Sequence, residues 1–582
     1  MSLLRLLRRH LAPHRRLVAL VVALELASVV ALLVLPLLNA RIIDEGIVPG
    51  DLGRVGSAGA VMLAVSLAQA VVAAGSSYAG AAVAAAFGRD VRRGLFSHVG
   101  GLSSREVHGF GVPSLVTRCT NDVQQVQLFV LLTLTMVLTA PLLLVGGVVM
   151  AVRVDVGLSW VLLAAAPVLA LVVTALVAWM VPSSRRLQEL LDRTNEVLRD
   201  QLVGLRVVRA FAREQRESER FAGVNDELTR VSRRMGRMTA ALTPVVVVTT
   251  SLAVAGVLWF GGHRVDDGQL AIGSLAAYLT YVVQVLAATA VLALVVVMLP
   301  RAMVCADRVT AVLEARSSTA GPRPGGPRSL VPRAVRGALR VEGVGVRRPG
   351  ADEPLLHGVD LDVRPGEVVA VVGSTGSGKT LLLSLLARLL DPTVGRVLLD
   401  GHDVRDLDRG VLAGAVGLVP QASYLFGGTV RSNLCLGRPD ASDDELWRAL
   451  EVAQAAGFVA GLDDGLDAVV HPGGTNLSGG QRQRLCVARA LVPRPRVYLL
   501  DDVFSALDAA TGARLRRALR ERTADAAVLL VAQRVDEARE ADRVVVLDQG
   551  RVVGLGHHDD LLLTCPTYAE IAASQQLAGV TA

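Results

Sequence analysis

The run Val368-Val369-Ala370-Val371-Val372-Gly373-Ser374-Thr375-Gly376-Ser377-Gly378-Lys379-Thr380 joins an apolar strand pattern to a glycine-rich turn, and a helical pattern, Leu381 to Leu390, follows at once. The turn matches G-x-x-x-x-G-K-[ST], a phosphate-binding loop, in the strand-to-helix setting that the pattern requires. Glycines let backbone N–H groups wrap phosphates at a helix N-terminus. Lys379 brings a point charge to the β- and γ-phosphates, and Thr380 offers its hydroxyl to Mg²⁺. Of the 60 lysine and arginine residues, Lys379 alone is lysine. A compact ammonium fits a phosphate cradle in a way that a wide planar guanidinium does not.

Around this loop, short β-branched runs (Glu367 to Val372, Val416 to Val419, Val497 to Leu500, Ala527 to Val531, Arg543 to Leu547) alternate with helical patterns, as in an α/β domain. Asp501 and Asp502 end the apolar run that starts at Val497, where a parallel sheet presents its ligand site. Asp501 is placed there to hold Mg²⁺ through water. By itself such a pair reads as a helix cap, but beside a phosphate loop metal binding is the better reading. Leu477-Ser478-Gly479-Gly480-Gln481 puts a small-residue turn at the start of another helical pattern, a second anion-binding arrangement.

Upstream, the sequence falls into six charge-poor stretches: Leu17 to Ala40, Val55 to Gly88, Val123 to Val152, Val156 to Ser184, Met238 to Gly262 and Gly268 to Pro300. Each exceeds the roughly 20 residues that cross a bilayer core. The first follows a basic start but is too long for a secretory leader, so it reads as an uncleaved span. Arginines crowd the segment before the first span and the segments Arg89 to Asp122 and Arg185 to Arg237, which places both termini in the cytoplasm. Apolar residues at Leu187, Leu190, Leu191, Leu198, Leu202 and Leu205 mark an amphipathic helix running on from the fourth span. A Pro- and Gly-rich linker, 314–336, then separates a membrane domain, 1–313, from a soluble domain, 337–582.

Composition agrees. Hydrophobic residues make up 52% of the 582 and charged residues 19%, with mean hydropathy +0.48, which excludes a disordered or coiled-coil chain. Five scattered cysteines give neither a disulfide scaffold nor a zinc site. The formal charge of +7 needs no nucleic acid, because its arginines gather at the cytoplasmic membrane face. The fold expected is a membrane α-helical six-span domain followed by an α/β P-loop nucleotide-binding domain, which excludes a soluble ATPase of repair or translation.

Phosphate loop, strand-end carboxylates, Leu477 to Gln481 and six spans together resemble an exporter-type half-transporter of the ATP-binding cassette (ABC) superfamily, over essentially the whole chain. The resemblance implies that Gly373 to Thr380 is the Walker A loop, Gln421 the Q-loop glutamine and a Mg²⁺ ligand with Thr380 and Asp501, Leu477 to Gln481 the signature, and Ser505 to Asp508 the D-loop. It also implies a dimer in which each ATP lies between one chain's Walker motifs and the other's signature. Helices that couple transport to ATP are expected near Phe110 to Arg118 and Gly204 to Phe211.

Four positions depart from the family pattern. Its catalytic glutamate is Asp502, one methylene shorter, and a base misplaced by over an ångström can cost on the order of 100-fold in rate. Its switch histidine is Gln533, which hydrogen-bonds phosphate or water without carrying an imidazolium charge. Its adenine-stacking aromatic is Arg348, whose guanidinium still stacks, and the glutamate before the signature is Pro472.

The altered residues serve this chain's own Walker face, whereas its signature is intact. A heterodimer is therefore expected, with a partner that supplies the fast site. The resemblance implies ATP-driven transport across the plasma membrane, by default export of a hydrophobic or amphipathic cargo. The alternatives are a regulatory ATP-binding subunit and an importer on the same fold. Glu25, the only full charge inside the first span, either faces a transport cavity or hydrogen-bonds a neighbouring helix, and Gln69 and Gln284 carry the same choice.

Overall fold

A computed structural model describes residues 2–319, 335–347 and 353–580. Part of the expected linker, 320–334, lies outside the described residues, and so does Arg348. The chain divides into two compact units, Met1–Gly100 with Gly111–Ala315, and Gly101–Phe110 with Arg316–Ala582.

The first unit is helical. Its spans run through Arg15–Arg41, Leu52–Gly101, Val112–Val154, Ser159–Val203, Glu214–Asp266 and Ile272–Leu313, six segments long and apolar enough to cross a membrane. At 1.5 Å per residue, the 45 residues of Ser159–Val203 measure about 68 Å, twice the hydrocarbon core, so the amphipathic segment continues the span beyond the bilayer. The third span is interrupted by a π-helical turn, Thr133–Val137.

Glu25 is buried, and its two oxygens accept from Ser76 Oγ (2.7 Å) and Thr139 Oγ1 (2.8 Å), on the second and third spans. Of its two expected roles this is the structural one. Gln69 Nε2 donates to Ser28 Oγ at 3.4 Å, and Gln284 Nε2 to the carbonyl of Leu32 at 3.4 Å. Fully buried Asp122 accepts both Arg308 Nε (2.7 Å) and Nη2 (2.5 Å), tying the third span to the sixth. A bidentate pair satisfies a buried carboxylate that would otherwise be costly.

In the second unit, β1 (Leu339–Arg347) pairs antiparallel with β2 (Pro354–Val363) and β4 (Val394–Leu399). The larger sheet contains β3 (Val368–Val372), β5 (Val416–Val419), β6 (Val497–Asp501), β7 (Ala527–Val531), β8 (Arg543–Asp548) and β9 (Arg551–Gly556), in the order β9-β8-β3-β7-β6-β5. It is parallel except for edge strand β9. Val528 to Val531 pair with Val368 to Val371, and Val531 pairs with Asp501, so β3, β7 and β6 end at one level. That shared carboxyl edge is where an open parallel sheet binds ligand.

The helix after the phosphate loop spans Lys379–Leu386 and stops short of Leu390. Arg388 takes φ +50°, and the N–H of Leu389 turns back to the Ser384 carbonyl at 2.8 Å, a left-handed helix stop made without glycine. The short helix at the tip between the second and third spans is Ser104–Phe110, just ahead of the expected stretch, and Leu205–Ala210 forms within the other.

Candidate functional site

The all-apolar β3 delivers Gly373 to the sheet edge. A Cβ there would lie 2.0 Å from the Leu547 carbonyl oxygen, so no side chain fits. Gly376 and Gly378 adopt φ of +84° and +103°, the left-handed region open to glycine, and turn the chain into the helix Lys379–Leu386. That helix is held down by buried Leu382, Leu383, Leu385 and Leu386, each worth about 2 kcal/mol.

Lys379 reaches back across its own loop, donating to the carbonyls of Gly373 (2.7 Å) and Ser374 (2.8 Å). An ammonium has three protons, so the third remains for a ligand. Burial lowers its pKa, and the nearby charges of Asp501 and Asp502 oppose that shift. Asp501, ending β6, is buried; burial raises its pKa and a hydrogen bond from Thr380 lowers it. Thr380 and Asp501 thus stand together, as two oxygen donors to a hard cation must.

Asp502 is held in a left-handed conformation, φ +53°, by its backbone. Its N–H donates to the Val531 carbonyl at 3.1 Å, and its own carbonyl accepts from Gln483 Nε2 (2.9 Å) and Ser505 Oγ (3.0 Å). Oδ2 accepts from Gln533 Nε2 at 2.6 Å and from Gln421 Nε2 at 3.4 Å, whereas Oδ1 is buried without a partner. Burial raises the pKa of this carboxyl, and the hydrogen bonds from Gln421 and Gln533 offset only part of that rise.

Gly373, Ser374, Thr375, Gly376, Ser377, Gly378, Lys379, Thr380, Gln421, Asp501, Asp502 and Gln533 line one cavity of about 520 Å³. Leu355, Val531, Ile571 and Gln575 line it too and escaped the sequence reading. The helical stripe Tyr568, Ile571, Ala572, Gln575 was the signal for the last of these, because a half-buried glutamine that closes an apolar face needs partners for its amide. A second cavity of about 510 Å³, lined by Ser104, His108, Val346, Leu381 and Leu390, has neither ammonium nor carboxylate.

The signature lines neither cavity. Ser478 caps the helix Gly479–Leu491 through a reciprocal pair, Gln481 N–H to Ser478 Oγ (3.3 Å) and Ser478 N–H to Gln481 Oε1 (2.9 Å). A Cβ on Gly480 would come within 2.9 Å of the Ala506 carbonyl, so the helix start rests on the loop Ser505 to Asp508. Leu477 is partly buried, and Ser478 and Gly479 are exposed. Asp508 accepts from the Thr511 N–H at 2.9 Å and caps the next helix. Pro472 is exposed and packs toward Gly427, where a Cβ would approach it to 3.1 Å.

Residues 18–289 match the family model of the ABC transporter transmembrane region, and residues 356–505 match that of the ABC transporter. The chain is 46% identical, over 99% of its length and 98% of the relative's, to an uncharacterized ABC transporter ATP-binding protein of Mycobacterium tuberculosis. It is 32% identical to an ATP-dependent lipid A-core flippase of Chromobacterium violaceum, covering 83% of this chain and 82% of that one. A bacterial Atm1-family ABC exporter solved with ATP bound superposes with a TM-score of 0.81 at 25% identity, over 98% of both chains.

Proposed function

The chain belongs to the ABC transporter family, and from that membership we propose that it works as one half of a heterodimer, with a slow ATP site of its own and a signature that serves its partner's site. It is an exporter-type half-transporter, a multi-pass plasma-membrane protein with a cytoplasmic ABC domain whose ATP hydrolysis is coupled to transport. Exporters of this kind work as dimers on cargo in the membrane. In our reading residues 1–313 form the membrane domain, 314–336 the linker and 337–582 the nucleotide-binding domain.

The observation that carries the proposal is the amide cluster on Asp502. A general base must turn a free lone pair to water, and Asp502 Oδ2 already accepts from the amides of Gln533 (2.6 Å) and Gln421 (3.4 Å). The carboxylate is also one methylene shorter than the family's glutamate and is fixed by a backbone with no slack, so it does not advance to compensate. The signature carries no such substitution.

ATP fits the cavity: Lys379 keeps a free proton for it, and Gly376 and Gly378, in the left-handed region, turn the loop around it into the helix. Thr380, Gln421 and, through water, Asp501 would hold Mg²⁺, which would neutralise phosphate charge there. Arg348 is assigned to adenine. The cargo is proposed to be hydrophobic or amphipathic and to move outward, and the name of the Chromobacterium relative makes lipids the first class to assay.

The test compares two changes in the dimer. Asp502→Ala should leave ATP turnover within about twofold, whereas loss of the corresponding glutamate in the partner should lower it on the order of 100-fold or more. Equal losses would overturn the division of labour.

A further inference from the structure

Gln575 lines the nucleotide cavity from the C-terminal helix Pro566–Val580, 42 residues beyond Gln533. Its side-chain amide makes two bonds to one short loop. Nε2 donates to the Gln533 carbonyl at 2.8 Å, and Oε1 accepts from the Val535 N–H at 2.7 Å. One side chain thus imitates a pair of strand hydrogen bonds and fixes the peptides on both sides of Arg534.

The clip has firm anchors. Tyr568 and Ala572 are buried against Ala370, Val372, Val544 and Val546, with Ile571 packed beside them. Gln575 follows Ala572 by three residues and Tyr568 by seven, so it lies on the same helical face. On its sheet side the loop is pinned by the Ala532 N–H, which donates to the Val371 carbonyl at 3.1 Å. On its far side the Arg534 carbonyl accepts from the Glu537 N–H at 3.1 Å. Between these points the backbone of Gln533 has little freedom, and its side chain stands 2.6 Å from Asp502 Oδ2.

We propose that Gln575 is a positioning residue for the γ-phosphate end of the site: by holding the Gln533 carbonyl it aims the Gln533 amide, which makes the C-terminal helix part of the device that tells ATP from ADP. The proposal rests on the reading of Gln533 as the group that faces the γ-phosphate.

The experiment uses the full-length protein in membranes, photolabelled with 8-azido-ATP and Mg²⁺, and follows competition by ATP and by ADP on this chain. Gln575→Met keeps length and packing but removes both bonds; Gln533→Ala is the reference. Each should lower the preference for ATP over ADP about three- to tenfold, the worth of one or two hydrogen bonds, with ADP competition unchanged. The double variant should fall no further than Gln533→Ala alone. If Gln533→Ala lowers the preference and Gln575→Met does not, the proposal falls and the role of Gln533 stands. Should Gln533→Ala have no effect, both fall. Equal loss of ATP and ADP competition in Gln575→Met would make the residue a packing element and overturn the proposal.

Discussion

The chain presents two helix starts built to meet anions, and they are partnered in opposite ways. At Lys379–Leu386 the glycine loop opens into a cavity of about 520 Å³ with two buried carboxylates, one of them tied to two glutamine amides. At Gly479–Leu491 the helix start is exposed, its cap is satisfied by Ser478 and Gln481, and it lines neither large cavity. The same backbone device is therefore set in two surroundings, and in our proposal the first start holds a nucleotide while the second meets one brought by another chain. What a helix N-terminus does depends on the acids and amides set around it.

The two starts are told apart most forcefully by removing one at a time. Lys379→Ala should lower labelling of this chain by 8-azido-ATP on the order of 100-fold, because a charge-assisted phosphate contact is lost. Gly479→Asp, which puts an anion at the second start, should leave that labelling intact and reduce turnover by the dimer by a similar factor. Loss of labelling in Gly479→Asp would show that the two starts share one site.

A smaller effect sharpens the picture of the first start. Burial, with the Asp502 charge, pushes the Glu537 carboxyl up to about 7 from an ordinary value near 4.5. Because the folded-state pKa is raised, the stability contributed by the protonated form is complete below pH 4.5 and is lost as pH rises through 7. Glu537→Gln should therefore stabilise the protein at pH 8 by about 1–3 kcal/mol and make no difference at pH 4, as read by thermal unfolding. Equal stability at pH 8 would mean that Glu537 ionises in place without cost.

Much of this was legible in the residues. Spans declare themselves by length and apolarity, and the strand–loop–helix run fixes the phosphate site because a glycine pattern, a lone lysine and a strand coincide. Helix ends were less legible: Arg388 adopts a left-handed stop that glycine normally signals. Contacts between residues far apart in sequence, such as Gln575 to Gln533 and Glu25 to Thr139, leave only a faint mark, a polar residue on an apolar face. Local pattern records what a segment is, and packing decides what it touches.

In our proposal Asp502 blunts this chain's own hydrolysis. The most direct measurement is the ATP turnover of the full-length chain, purified alone in lipid vesicles, with and without Asp502→Glu. Slow turnover is expected, rising on the order of 100-fold when the missing methylene is restored. Brisk turnover in the unaltered chain, unchanged by the substitution, would contradict it.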